Sequence, residues 1–239
     1  MTEIPVAIGG FPADPVSAPT QWQTATVREV LRPTARLVIL RLELTQRQQQ
    51  YAGQHFVVRL TADDGYAASR SYSVSSAPED DLLELCVERL SGGEVSGYLY
   101  DVVEPGDSLE VRGPIGGWFV WDGSVPAVAV GGGTGVVPLA AMLRHASHLG
   151  VTDRLRLAVS GRTGGDIPFL DEFRAAGATV ALTGAGHRLD ADDLRPLVDG
   201  AQIGFVCGSA RFAEALSSAL VKSGMPVGDV RVERFGPTG

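Results

Sequence analysis

The feature that most constrains this chain is a change of rhythm near residue 123. Before it, short runs alternate apolar with polar residues or are rich in β-branched ones: "TATVREV", "ARLVILRLEL", "HFVVRLTA", "SRSYSVSS", "LLELCVERL" and "SLEVRG", with turn residues between them. That pattern predicts six β-strands, which suit a small antiparallel barrel. One helical interruption, "VSGYLYDVV", follows Gly92 and Gly93. After residue 123 apolar strands alternate with helices: "VPAVAVG" precedes "VVPLAAMLRHASHL", "RLRLAVS" precedes "PFLDEFRAAG", "ATVALTG" precedes "LDADDLRPLV", "IGFVCG" precedes "ARFAEALSSALVKSG", and "DVRVERFG" closes the chain. Five such strands predict a doubly wound parallel sheet covered on both faces. The fold class expected is therefore β followed by α/β: a tail over 1–21, a six-stranded antiparallel barrel over 22–122 and a five-stranded parallel-sheet unit over 123–239.

Charge narrows the range of partners. A net charge of −8, without clustered Lys and Arg, argues against a nucleic-acid binder, whose affinity rests on neutralising phosphates. No stretch reaches 18 consecutive apolar residues, so no membrane span is expected. Cys86 and Cys207 are the only cysteines, too few for a metal cluster or a disulfide framework, which points to a reducing, cytoplasmic setting and to no metal. The opening "MTEIPVAIGGFPADPVSAP" lacks a basic start and a sustained apolar run, so it reads as a Pro/Gly-rich tail rather than a leader.

Topology selects the binding loops. Right-handed crossovers with strand order 3-2-1-4-5 place a switch point between the first and fourth parallel strands, and ligands bind there, outside the carboxyl ends. The loops meeting at that point are "GGGTG", with Gly133, Thr134 and Gly135, and "CGS", with Cys207 and Gly208. The first opens a helix directly after a strand, which offers free amides and a positive dipole end to a pyrophosphate. Val136 stands where the full dinucleotide fingerprint has a third glycine or alanine, so a simple tight turn is the alternative. After the second strand, "SGR" puts Arg162 where an adenosine ribose is read, and a basic residue there suits a 2′-phosphate.

"RSYSVSS", 70–76, breaks the rule of a packing strand, because every position but Val74 offers a hydrogen bond. "RSYS", "GGEVS" at 92–96, "GPIGGWF" at 113–119, "GGGTGVVP", "CGS" and the closing "ERFGPTG" occur in this order, and together they resemble the ferredoxin-NADP reductase superfamily of flavoenzymes over residues 22–239. The resemblance implies FAD in the barrel. Arg70 would pair with its pyrophosphate, Tyr72 stack on its ring system and Ser73 hydrogen-bond near flavin N5, with Ser71 between them. A guanidinium fork, a flat phenol ring and a hydroxyl are chemically suited to those tasks. Gly93, Val95 and Ser96 match a second phosphate-binding element, and the Val87 backbone would meet the flavin's pyrimidine edge. In the second unit, Thr134 and its glycines would carry the pyridine nucleotide and Cys207 would lie beside the nicotinamide. Glu233 would lie near both rings, and Phe235 would cover the second flavin face.

Two departures qualify the match. "AGQ" replaces P-G-Q at 52–54, and "TGAGHR" has Gly184 where NADP-using relatives carry a second basic residue, leaving Arg188 as the substitute. The expected function is hydride transfer from NAD(P)H, NADPH favoured and NAD possible, to FAD, with Ser73, Cys207 and Glu233 as catalytic residues. Electrons would pass to a separate redox protein, such as a ferredoxin, a flavodoxin, or an oxygenase or molybdoenzyme component. An FAD-binding electron-transfer subunit, or a sensory module without NAD(P)H turnover, is the alternative. A monomer suffices for this chemistry, and no motif reports an oligomeric state.

Overall fold

The computed structural model describes residues 21–235. The tail through residue 20 and the final "GPTG" lie outside the described residues. The first half forms β1 (Trp22–Leu31), β2 (Leu37–Leu44), β3 (His55–Thr61), β4 (Ala67–Ser73), β5 (Leu83–Glu88), helix α1 (Glu94–Asp101) and β6 (Ser108–Ile115). The strands pair antiparallel in the order β4-β3-β6-β1-β2-β5. Beyond β4, Val74 bridges to Leu85 and Ser75 N donates to Glu84 O at 2.9 Å. The two ends of the sheet therefore meet and the barrel closes, which removes its open edges. Alternate side chains, among them Val27, Leu40, Leu42, Phe56, Val58, Leu85 and Val111, fill the interior, and Val95 and Leu99 of α1 join the same core. Gly113 sits where a Cβ would come within 2.5 Å of the Phe56 ring, so this position of β6 has no room for a side chain.

The second half forms β7 (Ala127–Gly132), α2 (Val137–Leu149), β8 (Leu155–Gly161), α3 (Leu170–Ala175), β9 (Thr179–Leu182), α4 (Ala191–Val198), β10 (Ile203–Ser209), α5 (Ala210–Lys222) and β11 (Val230–Phe235). The parallel order is β11-β10-β7-β8-β9, the expected 3-2-1-4-5 seen from its other end. Alternation decides which helices cover which face: Ala127 and Ala129 pack with α2 and Phe173 of α3, whereas Val128 and Val130 pack with α4 and α5. Helix α2 is apolar nearly all round, with Leu139, Ala140, Ala141 and Met142 fully buried, as a helix covered on all sides must be. Each buried Leu or Met there contributes about 1.5–3 kcal/mol.

Helix α3 is shorter than the apolar pattern suggests. It begins at Leu170 because Phe169 takes a left-handed conformation, φ 59°, a costly backbone for a bulky residue. Phe169 is held there by packing against both the sheet-side core and the Leu37, Ile39, Cys86 and Val137 cluster, which joins the barrel to α2.

Ionic contacts tie the last turns of α2 to the barrel. Arg144 Nη1 donates to Glu84 Oε1 at 2.6 Å and to Ser75 O at 2.9 Å, while its Nη2 reaches Glu172 at 2.7 Å. His145 Nδ1 lies 2.8 Å from Glu79, and His148 Nε2 3.3 Å from Asp80. Burial alone would raise the Glu84 carboxyl, yet Arg144, Arg41 and Ser75 outweigh it and hold it below its ordinary value. The helix that opens at the glycine loop is thereby anchored to the barrel at its other end. Among the described residues, no helix is long and apolar enough to cross a membrane.

Candidate functional site

The carboxyl ends of the parallel strands meet the outer face of β3 and β4. His55 and Ser73 are direct cross-strand partners, so their side chains project to the same face. Across the seam, Glu233 on β11 comes within 3.9 Å of His55 Nδ1. Cys207 on β10 is in register with Gly131 of β7 on one side and Glu233 of β11 on the other. Ser73, His55, Cys207 and Glu233 thus converge from four strands of two sheets.

Burial sets their chemistry. Loss of solvent raises the Glu233 carboxyl from 4.5 to about 7 and lowers the His55 imidazole. Burial, reinforced by the negative charge of Glu233, pushes the Cys207 thiol well above its usual value, so it remains a neutral thiol rather than a nucleophile. Burial also raises the Tyr72 phenol, with the Arg70 charge opposing. Tyr72 Oη, Ser73 Oγ and Glu233 Oε2 are buried polar atoms that no protein group hydrogen-bonds. Each such atom is costly unless a ligand engages it.

The remaining expected residues fall into three neighbouring groups. At the switch point, a Cβ on Gly135 would lie 2.3 Å from Cys207 O, so the two loops touch and only glycine fits. Gly133 has φ 56° and open space around it, and the helical turn Gly133–Val136, with Thr134, leads into α2. Gly208 follows Cys207, and Phe235 pairs with Ser209 at the end of β11 while packing against the sheet-side core.

At the barrel end, Arg70 and Ser71 are exposed on β4, and Arg70 Nη1 donates to Ser69 O at 2.7 Å. Gly93 precedes α1, whose Val95 and Ser96 are buried. The Ser96 hydroxyl closes its own turn, accepting from Leu90 N at 3.3 Å. A Cβ on Gly93 would meet it at 2.4 Å. Val87 is buried in β5, paired with Val38. Tyr66, in the β3–β4 turn, donates to Glu94 at 3.2 Å and so brings that turn to the start of α1.

At the ends of β8 and β9, Arg162 and Arg188 are exposed. Gly184 N donates to Arg162 O at 2.8 Å, and a Cβ at 184 would lie 2.5 Å from that same oxygen. Close approach of the two loops therefore explains why no basic side chain stands there. An acid that the sequence pattern did not single out, Asp166, lies in the same loop. It accepts from Thr163 N and Oγ1, both at 2.8 Å. His55, which follows "AGQ" and pairs with the last residue of "RSYS", was equally missed; strand pairing was the only signal for it.

Residues 25–120 match the oxidoreductase FAD-binding domain family. The propane 2-monooxygenase reductase component of Gordonia sp. (strain TY-5) is 32% identical over 167 residues, covering 68% of this chain and 47% of that protein. A Ralstonia sp. reductase component of naphthalene 1,2-dioxygenase/salicylate 5-hydroxylase systems, described as ferredoxin–NAD(P)(+), is 27% identical over 239 residues, 92% of this chain and 71% of that one. In sequence and in fold the chain is similar to these reductases. The structure of the Amycolatopsis cytochrome P450 reductase GcoB agrees, with TM-score 0.78 and 28% identity over 95% of this chain and 74% of that one. The chain spans about half the length of its Gordonia relative. FAD binding follows from the matched family, and the partnerless Tyr72 and Ser73 hydroxyls are groups that a flavin's polar edge would engage.

Proposed function

We propose that the chain is an NAD(P)H-dependent flavin reductase that passes electrons to a separate redox protein. The observation that carries this is the convergence of Ser73, Cys207 and Glu233 at the seam, with two of their polar atoms buried and partnerless. The division near residue 123 then separates an FAD barrel from a nucleotide-binding unit. Bound FAD supplies a hydride acceptor that can return two electrons one at a time.

The protein's part is alignment and proton control. Tyr72 offers a flat ring and Ser73 a hydroxyl at the barrel wall, and Arg70 supplies charge for the pyrophosphate. The N-terminal amides of α1, after Gly93, add to that charge. Cys207, neutral and buried, gives the nicotinamide side a soft wall without competing chemistry. Glu233, which holds a proton near neutrality, adds no negative charge beside the reacting rings at low pH. Gly133, Thr134 and Gly135 receive the nucleotide pyrophosphate. Arg162 and Arg188 favour NADPH through its 2′-phosphate.

The Gordonia and Ralstonia relatives are named as reductase components of oxygenase systems, which supports an oxygenase component or its ferredoxin as the acceptor. Two unpaired buried thiols suit a cytoplasmic setting. The test is anaerobic titration of FAD-loaded protein with NADPH and with NADH, followed at the flavin absorbance. Bleaching by a stoichiometric amount supports the assignment. A flavin that stays yellow with both nucleotides refutes it and leaves an electron-transfer or sensory role.

A further inference from the structure

The barrel reaches into the loop that reads the adenosine ribose. Arg36, just before β2, places Nη1 3.4 Å from Asp166 Oδ1, with side-chain exposures of 52% and 18%. Its other amino group binds Glu88. The backbone of Arg36 is fixed as well: its N–H donates to Thr34 Oγ1 at 3.2 Å, and its carbonyl accepts from Arg89 N at 2.8 Å. A well-anchored cation from one unit therefore grips a carboxylate in the nucleotide loop of the other. That carboxylate also feels the charge of Arg162, four residues earlier in the same loop, and it is held below its ordinary value first by the Thr163 hydroxyl, next by the Thr163 N–H and last by the two arginines.

Charge at this point decides between nucleotides. A 2′-phosphate brings extra negative charge, which a neighbouring carboxylate repels and a guanidinium attracts. Gly184 leaves no room for a side chain at its own position after β9, so the cations near this point are Arg162 and Arg188, and Asp166 acts on the first of them. We propose that Arg36 is a specificity-determining residue acting through Asp166: by pairing with that carboxylate it leaves Arg162 available to the 2′-phosphate of NADPH. Without Arg36, Asp166 would be neutralised by Arg162 instead, and the advantage of the 2′-phosphate would shrink. The inference rests on the proposed use of NAD(P)H and adds a barrel residue to nucleotide selection.

The test is a double-mutant cycle on FAD-loaded protein, read as the calorimetric affinity for adenosine 2′,5′-bisphosphate relative to ADP. ADP serves as the internal reference in each variant, so a general loss of fold does not change the ratio. Arg36→Ala is expected to lower the ratio at least threefold when Asp166 is present, and by less than twofold in the Asp166→Asn background, where the amide still caps Thr163. A smaller loss in the first case, or a loss of twofold or more in the second, overturns the proposal. Flavin bleaching by NAD(P)H is measured separately: bleaching with an unchanged affinity ratio refutes Arg36 alone, whereas failure to bind either adenosine compound overturns both.

Discussion

Replacing Glu233 by Gln should stabilise the flavin-free protein at alkaline pH. Glu233 sits on an edge strand, yet its side chain is only 24% exposed, and Oε2 has no hydrogen-bond partner. The neighbouring titratable groups on β10 and β3 are Cys207, a neutral thiol, and His55, whose imidazole burial lowers. Nothing close offsets the loss of solvent, and the carboxyl moves from 4.5 to about 7. In that window the folded chain holds a proton that the unfolded chain has released, so stability falls as pH rises from about 4.5 through about 7. At about 1.4 kcal/mol per pH unit the total cost above pH 7 is about 3 kcal/mol, of which about 2.5 develops between pH 5 and pH 8.

An amide does not ionise and escapes that cost. Urea unfolding at pH 5 and pH 8 should therefore show Glu233→Gln gaining about 2.5 kcal/mol on the wild type over this interval. Identical pH dependences for the two proteins would refute the reasoning and mean that the carboxylate is solvated or paired in solution. The cost is the stability side of the proposed function: an acid kept protonated near neutrality at a seam where a charge would be unfavourable.

Arg70→Ala should weaken FAD about ten to a hundredfold, the loss of one charge-assisted contact worth about 1.5–3 kcal/mol, as read by fluorescence titration. Cys207→Ala should slow flavin reduction by NADPH far more than it weakens nucleotide binding, since alignment is lost while the adenosine contacts stay; rapid mixing gives both values. The wild-type thiol, buried and with its ionisation pushed to high pH, should resist iodoacetamide at pH 7.5 until urea opens the fold, which mass spectrometry records. Glu84→Ala should cost about 1.5–3 kcal/mol in urea unfolding, because Arg144 loses its buried carboxylate partner and keeps only Glu172 and the Ser75 carbonyl.

How much of this was legible in the sequence depended on how local the cause was. The six barrel strands announce themselves because alternation is a property of neighbours, and the parallel order follows because crossover handedness leaves few choices. "RSYS" stood out because polar side chains crowd a strand that packing alone would not fill. The limit of helix α3 was not legible: "PFLDEFRAAG" has helical spacing, but Phe169 is pinned by side chains from both halves of the molecule, and no local pattern reports that.

His55 shows the same limit at the site itself. Alone, it is one polar residue at the start of a strand, and Glu233 is one acid near the end of the chain. Their significance arises only when β3 pairs with β4 and β11 lies at the edge of the second sheet, which brings Nδ1 to 3.9 Å from the carboxylate. Arg36 and Asp166 repeat this across the seam, 3.4 Å apart. The contacts that sequence could not supply are thus of one kind: they join the barrel to the parallel sheet. Those are also the contacts on which hydride transfer between two cofactors would depend, because each half can hold its own ligand while only their packing can set one against the other.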